Sequence, residues 1–214
     1  MRQLTTKTFA ILATASILLA SCQNDDSSNG TPVNREIDFT SHSSIPAFVF
    51  AMPGFESMEI STLITSADQL SQSPAFVYGA QPDGAGLMKN PSGEGYILIS
   101  NHEILQSVSR VYLDKTFKPV KGEYIVDGVG GMTRLCSATL ATPEIHGFGP
   151  IFLTAGESGE ESMVHGIDPM GLANDRSRTD RILPALGKAS MENAVPLPKD
   201  AYPGKTVILI GEDQ

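Results

Sequence analysis

The run GYILISN, residues 95–101, decides the fold class. Its Tyr, Ile and Leu residues fit a pleated, half-buried ribbon, and Gly95 and Asn101 bound it as turn residues bound a strand. Six further runs have the same build: AFVFAM (47–52), PAFVYGA (74–80), SRVYLD (109–114), GEYIVDG (122–128), PIFLTAG (150–156) and TVILIG (206–211). Most begin or end at Gly, Pro, Asn or Asp, where a ladder stops and the chain turns. Only 59–73 and 165–188 leave room for a helical turn or a long loop. Many short strands at modest spacing predict an all-β sandwich, barrel or propeller. By eye the sequence yields no convincing internal repeat, so its period does not single out the propeller.

Upstream of these runs the composition changes twice. Arg2 and Lys7 precede an apolar run from Phe9 to Leu19, too short to span a membrane comfortably and of the length of a signal-peptide core. The run ends in Leu19-Ala20-Ser21-Cys22, which resembles the lipobox of bacterial lipoproteins; the plainer alternative is a secretory signal with a chance cysteine. The resemblance implies cleavage after residue 21 and acylation of Cys22. With Gln23 rather than an aspartate next, it implies an outer-membrane lipoprotein of the bacterial cell envelope, bound to the membrane through lipid. Residues 22–40 are polar and offer little to bury, as in a flexible tether. Residues 41–214 then form the folded domain.

Acidic residues outnumber basic ones, 24 to 15, and loss of the leader removes Arg2 and Lys7 but no acid. So acidic a surface excludes nucleic acid as the expected partner and suits cations. Three familiar motifs fail on single residues. Lys199 stands where a P-loop ending in Gly204-Lys205-Thr206 needs its first glycine, Glu160 stands where a nucleophile elbow around Ser158 needs its last, and Gln106 replaces the second histidine of a zinc-protease helix begun by His102-Glu103.

What remains is a set of acids placed just after apolar runs: Glu157 with Glu160 and Glu161, Glu192 after a turn at Gly187, and Glu212 with Asp213. Carboxylates at strand ends can converge at one end of a sheet and hold hard cations; they are also ordinary turn formers. If Cys22 is acylated, Cys136 is the one thiol left, either a metal ligand or a small buried hydrophobe. His146 and His165 fit loop or core histidines, and Met163, Met170 and Met191 fit core filling.

Five segments in order resemble the PhoX-type alkaline phosphatases: GYILISNHE (95–103), GGMTRLC (130–136), GPIFLTAGE (149–157), LPALGKASMENA (183–194) and KTVILIGEDQ (205–214). The resemblance implies a β-propeller whose relatives hydrolyse phosphate monoesters with a cluster of iron and calcium ions. By matching position it implies that Cys136 is a thiolate ligand to iron and that Glu157, Glu192 and Asp213 are carboxylate ligands. Asn101, His102 and Glu103 match a family motif in a structural or supporting role. At roughly 40–50 residues per blade, 41–214 supplies about three to four blades, an incomplete propeller. Members of the family continue beyond the last of these segments, so the expectation is the N-terminal portion of a longer protein. Leu135-Cys136-Ser137-Ala138-Thr139 departs from the family's Asn-Cys-Ala-Gly-Gly, which keeps open a non-catalytic surface lipoprotein that binds a ligand or partner.

Overall fold

A computed structural model describes residues 39–103, 107–127, 134–157, 162–173 and 182–213. The expected signal peptide, Cys22 and most of the tether lie outside these residues. Among the described residues no helix is long and apolar enough to cross a membrane. Among the described residues nine strands form three antiparallel sheets, none closed on itself. The first sheet orders β1 (Pro82–Lys89), β2 (Tyr96–His102), β3 (Ser107–Leu113) and β4 (Pro119–Val126) as a meander. The second holds β5 (Leu135–Ala141), β6 (Ile151–Gly156) and β7 (Val164–Ile167); the third pairs β8 (Met191–Pro196) with β9 (Ile208–Glu212). A single helical turn, α1 (Pro143–His146), links β5 to β6.

Period-two alternation sorts the side chains between layers. On β2, Ile97 and Ile99 face the second sheet and join Leu135, Phe152 and Ile167 in one core, while Tyr96 and Leu98 turn to the opposite face. On β6, Phe152 points to the first sheet, whereas Leu153 and Ala155 join Val164, Met191 and Ala194 in a core against the third. The sheets therefore stack in chain order, with first strands adjacent: β1 lies against β5, and β5 against β8. Glycines allow the first of these approaches. A Cβ on Gly84 would lie 2.2 Å from the Ala138 nitrogen, and one on Gly86 would lie 2.6 Å from the Leu140 Cβ. Arg110 also ties two layers, donating to Glu123 Oε1 at 2.7 Å and to the Pro169 carbonyl at 2.7 Å.

GYILISN, SRVYLD, GEYIVDG, PIFLTAG and TVILIG contain β2, β3, β4, β6 and β9 or large parts of them. Two predicted strands are not strands. In AFVFAM, between Pro46 and Pro53, no neighbour supplies a ladder, and Phe48 and Phe50 are 85% and 77% exposed. PAFVYGA is an extended strap whose Phe76 and Tyr78 cover the outer face of the first sheet with Val111 and Leu113. The segment 59–73 forms turns rather than a helix, and β7 ends inside 165–188.

Asp68 pins the start of the domain to one of those turns. Its carboxylate accepts from the Ser44 amide and hydroxyl (2.7 and 2.6 Å) and from the Thr65 amide and hydroxyl (2.7 and 3.0 Å). Burial alone would raise its pKa, but these donors outweigh it and hold the carboxyl well below its usual 3.8. A depressed folded pKa contributes stability above the unfolded value and loses it as pH falls through the folded one. Asp68→Asn is therefore less stable than wild type at neutral pH, and the gap narrows as pH falls below 3.8, read by urea unfolding across pH.

Candidate functional site

The three first strands share an irregularity at the same place. In β1, Pro82 faces His102 and Ala85 faces Ser100, so Asp83 and Gly84 stand opposite Asn101 alone. In β5, Leu135 faces Gly156 and Ala138 faces Thr154, so Cys136 and Ser137 oppose only Ala155. In β8, Met191 faces Glu212 and Asn193 faces Gly211, which leaves Glu192 as the extra residue. A bulge bends its strand and re-aims a side chain out of the regular alternation. Each of these bulges carries a carboxylate or a thiol.

The second strand of each sheet adds another donor just past its end. Glu103 follows β2, Glu157 follows β6 and Asp213 follows β9. Each is fixed by an equivalent backbone bond, from its own amide to the carbonyl two residues before the bulge donor. These run Glu103 to Gln81 at 3.1 Å, Glu157 to Arg134 at 3.0 Å and Asp213 to Ser190 at 3.1 Å. The pairs Asp83–Glu103, Cys136–Glu157 and Glu192–Asp213 are spaced by 20, 21 and 21 residues. One backbone unit thus occurs three times and presents two donor side chains each time.

The pairs meet. Ligand atoms of Asp83, Glu103 and Cys136 all lie within 4.8 Å of one another. The Cys136 thiol donates to Glu157 Oε2 at 3.0 Å. Burial, then the hydrogen bond and charge of Glu157, then the charges of Glu192 and Glu103, push that thiol far above its usual range. The Glu192 carboxyl is raised by burial and by Asp83, Glu157 and Asp213, against the pull of the Ser137 backbone. The charges of the neighbouring carboxylates therefore oppose ionisation of both Cys136 and Glu192. A multivalent cation reverses that penalty, because it favours thiolate and carboxylate over their protonated forms. The donor set fits a mixed sulfur–oxygen metal centre on these grounds.

The structure places Cys136 beside Glu157 and beside Asp83 and Glu103, while Glu192 and Asp213, the other two predicted ligands, reach this group only through charge. It puts Glu103, expected only to support them, among the donors, and adds Asp83, which sequence reasoning missed. The signal that could have found Asp83 was its spacing to Glu103, matched by the other two pairs. His102 lies on the other face of β2, packed edge-on to Tyr78, with Nε2 2.8 Å from Ser109 Oγ. Burial, against the backbone of Gly79 and Ala80, lowers its pKa to about 4, as suits a neutral core histidine. His146 on α1 accepts the Thr142 amide at 3.0 Å, and His165 is a buried residue of β7. Two surface cavities, of about 550 and 530 Å³, touch none of the six donors.

The close approach of β1 to β5 sets the distance from Asp83 to Cys136. Gly84→Ala puts a methyl group into backbone that cannot yield. We expect a loss of about 3 kcal/mol, the upper end for overpacking, measured by denaturant unfolding. Compared with protein-family models, curated proteins and solved structures, the chain matches none.

Proposed function

We propose that this chain is a metal-dependent phosphomonoester hydrolase of the PhoX type, or a portion of one, anchored to the bacterial outer membrane through an acylated Cys22. The observation that carries the reading is the cluster of Cys136 with Asp83, Glu103 and Glu157, within the field of Glu192. Stacking in chain order, with first strands adjacent, is also how blades gather around a propeller axis, and the three described sheets would be three such blades. In this reading Cys136, with Asp83, Glu103 and Glu157, would hold iron, while Glu192 and Asp213 would offer oxygen ligands of the kind that suit calcium.

Bound there, iron and calcium would supply Lewis acidity and positive charge toward the oxygens of a phosphate dianion, which this acidic protein would otherwise repel. The chain's own residues supply the frame. The three backbone bonds hold Glu103, Glu157 and Asp213 at fixed offsets from the bulges, and Glu157 Oε2 is the acceptor in place for the Cys136 proton.

The test is metal analysis of the chain together with phosphate release from an aryl phosphate. Iron, calcium and turnover that falls in Glu192→Gln support the reading. A folded protein that takes up neither metal and hydrolyses nothing sinks it in favour of a non-catalytic binding lipoprotein.

A further inference from the structure

The row of β2 that faces the second sheet runs Ile97, Ile99, Asn101. The first two are aliphatic and fully buried; the third is an amide, also 0% exposed. A buried amide costs free energy unless its hydrogen bonds are made, so its partners show what it does there. Asn101 Nδ2 donates to the Cys136 carbonyl and, at 2.8 Å, to Thr154 Oγ1. The Thr154 hydroxyl donates to the same Cys136 carbonyl at 3.1 Å. Among the described residues Asn101 Oδ1 has no hydrogen-bond partner, and the amide acts through its Nδ2 as a donor.

The accepting carbonyl explains the arrangement. The bulge at Cys136–Ser137 takes that peptide out of the regular β5–β6 ladder. Two side chains from two sheets, Asn101 on β2 and Thr154 on β6, provide donors there. Asn101 also stands alone opposite the Asp83–Gly84 bulge and two residues before Glu103. One residue therefore spans both bulges whose donors lie closest together.

We propose that Asn101 is a positioning residue: its amide locks the Cys136 peptide so that the thiol points at Asp83, Glu103 and Glu157. The inference rests on the metal-centre reading and adds to it the group that aims the sulfur. Substitution of such a supporting partner lowers metal affinity about 10–100-fold while leaving the ligands in place.

Cobalt(II) titration of the metal-free full chain tests it, because thiolate-to-cobalt charge-transfer absorption reports the Co–S bond independently of turnover. Asn101→Asp keeps the shape and loses the donor; Asn101→Leu keeps the volume and loses both polar atoms. Both are expected to bind cobalt about 10–100-fold more weakly, with the charge-transfer band reduced relative to total bound cobalt. Thr154→Val, which removes the other donor to the same carbonyl, weakens the band in the same direction, and Thr154→Ser restores it. Wild-type affinity and band intensity in both Asn101 variants overturn positioning and leave the metal centre standing. The same holds if those variants fail to fold while Thr154→Val keeps a wild-type band. Absence of any cobalt signal in wild type removes the metal centre, and this role with it.

Discussion

On the proposed phosphatase reading, Cys136→Ala is expected to lower phosphate release by more than about a hundredfold and to remove iron, while stability changes by only about 1 kcal/mol. The asymmetry follows from where the thiol sits. Cys136 is 1% exposed, so alanine leaves a gap of only one sulfur atom. It also removes the thiol that burial and neighbouring carboxylates keep from ionising. Loss of a supporting partner costs up to about a hundredfold in metal affinity or activity, so loss of a direct ligand costs more. Metal content, turnover and thermal unfolding are read on the same preparation. Unchanged hydrolysis by the variant would end the thiolate reading.

Phe152→Ala is expected to have the largest effect on stability, about 3–5 kcal/mol. Phe152 is 0% exposed and belongs to the core between the first two sheets, with Ile97, Ile99 and Leu135. Total stabilities of small domains are about 5–15 kcal/mol, so the variant sits near the edge of folding. The loss reaches the donor site, because Phe152 lies two residues before Thr154 on the same face of β6. Without the ring, the second sheet loses its seat on the first, and Asp83–Glu103 separates from Cys136–Glu157. Urea unfolding gives the stability loss. A second expectation is that cobalt affinity falls in the fraction that remains folded.

The all-β class was legible in the sequence because β2, β3, β4, β6 and β9 are built from β-branched, leucine and aromatic residues. The strands that carry the bulge donors were not. β1 reads PDGAGLMK, β5 reads LCSATLA and β8 reads MENAVP. Close packing explains the difference: where β1 meets β5, Gly84 and Gly86 leave no room for a Cβ. Small residues score poorly for strand, so the segments closest to the chemistry carry the weakest signal. The threefold unit was hidden for a related reason. It is written in backbone bonds and bulges, which constrain spacing but hardly constrain side-chain type. Ordered segment resemblance pointed to Cys136, Glu157, Glu192 and Asp213, whereas it did not point to Asp83, in a glycine-rich turn-like stretch.

The three amide-to-carbonyl bonds from Glu103, Glu157 and Asp213 have a consequence for how such a centre can change. The main chain decides where each donor stands; the side chain decides only what kind of atom is offered. Position and identity are thus separable, and a mutation can alter one without disturbing the other. Exchanging Cys136 for aspartate would turn a mixed sulfur–oxygen set into an all-oxygen one on the same scaffold, moving its preference toward hard cations. The repeated unit has the form of a socket with interchangeable pins, so that, on the proposed metal-centre reading, single substitutions would tune metal choice.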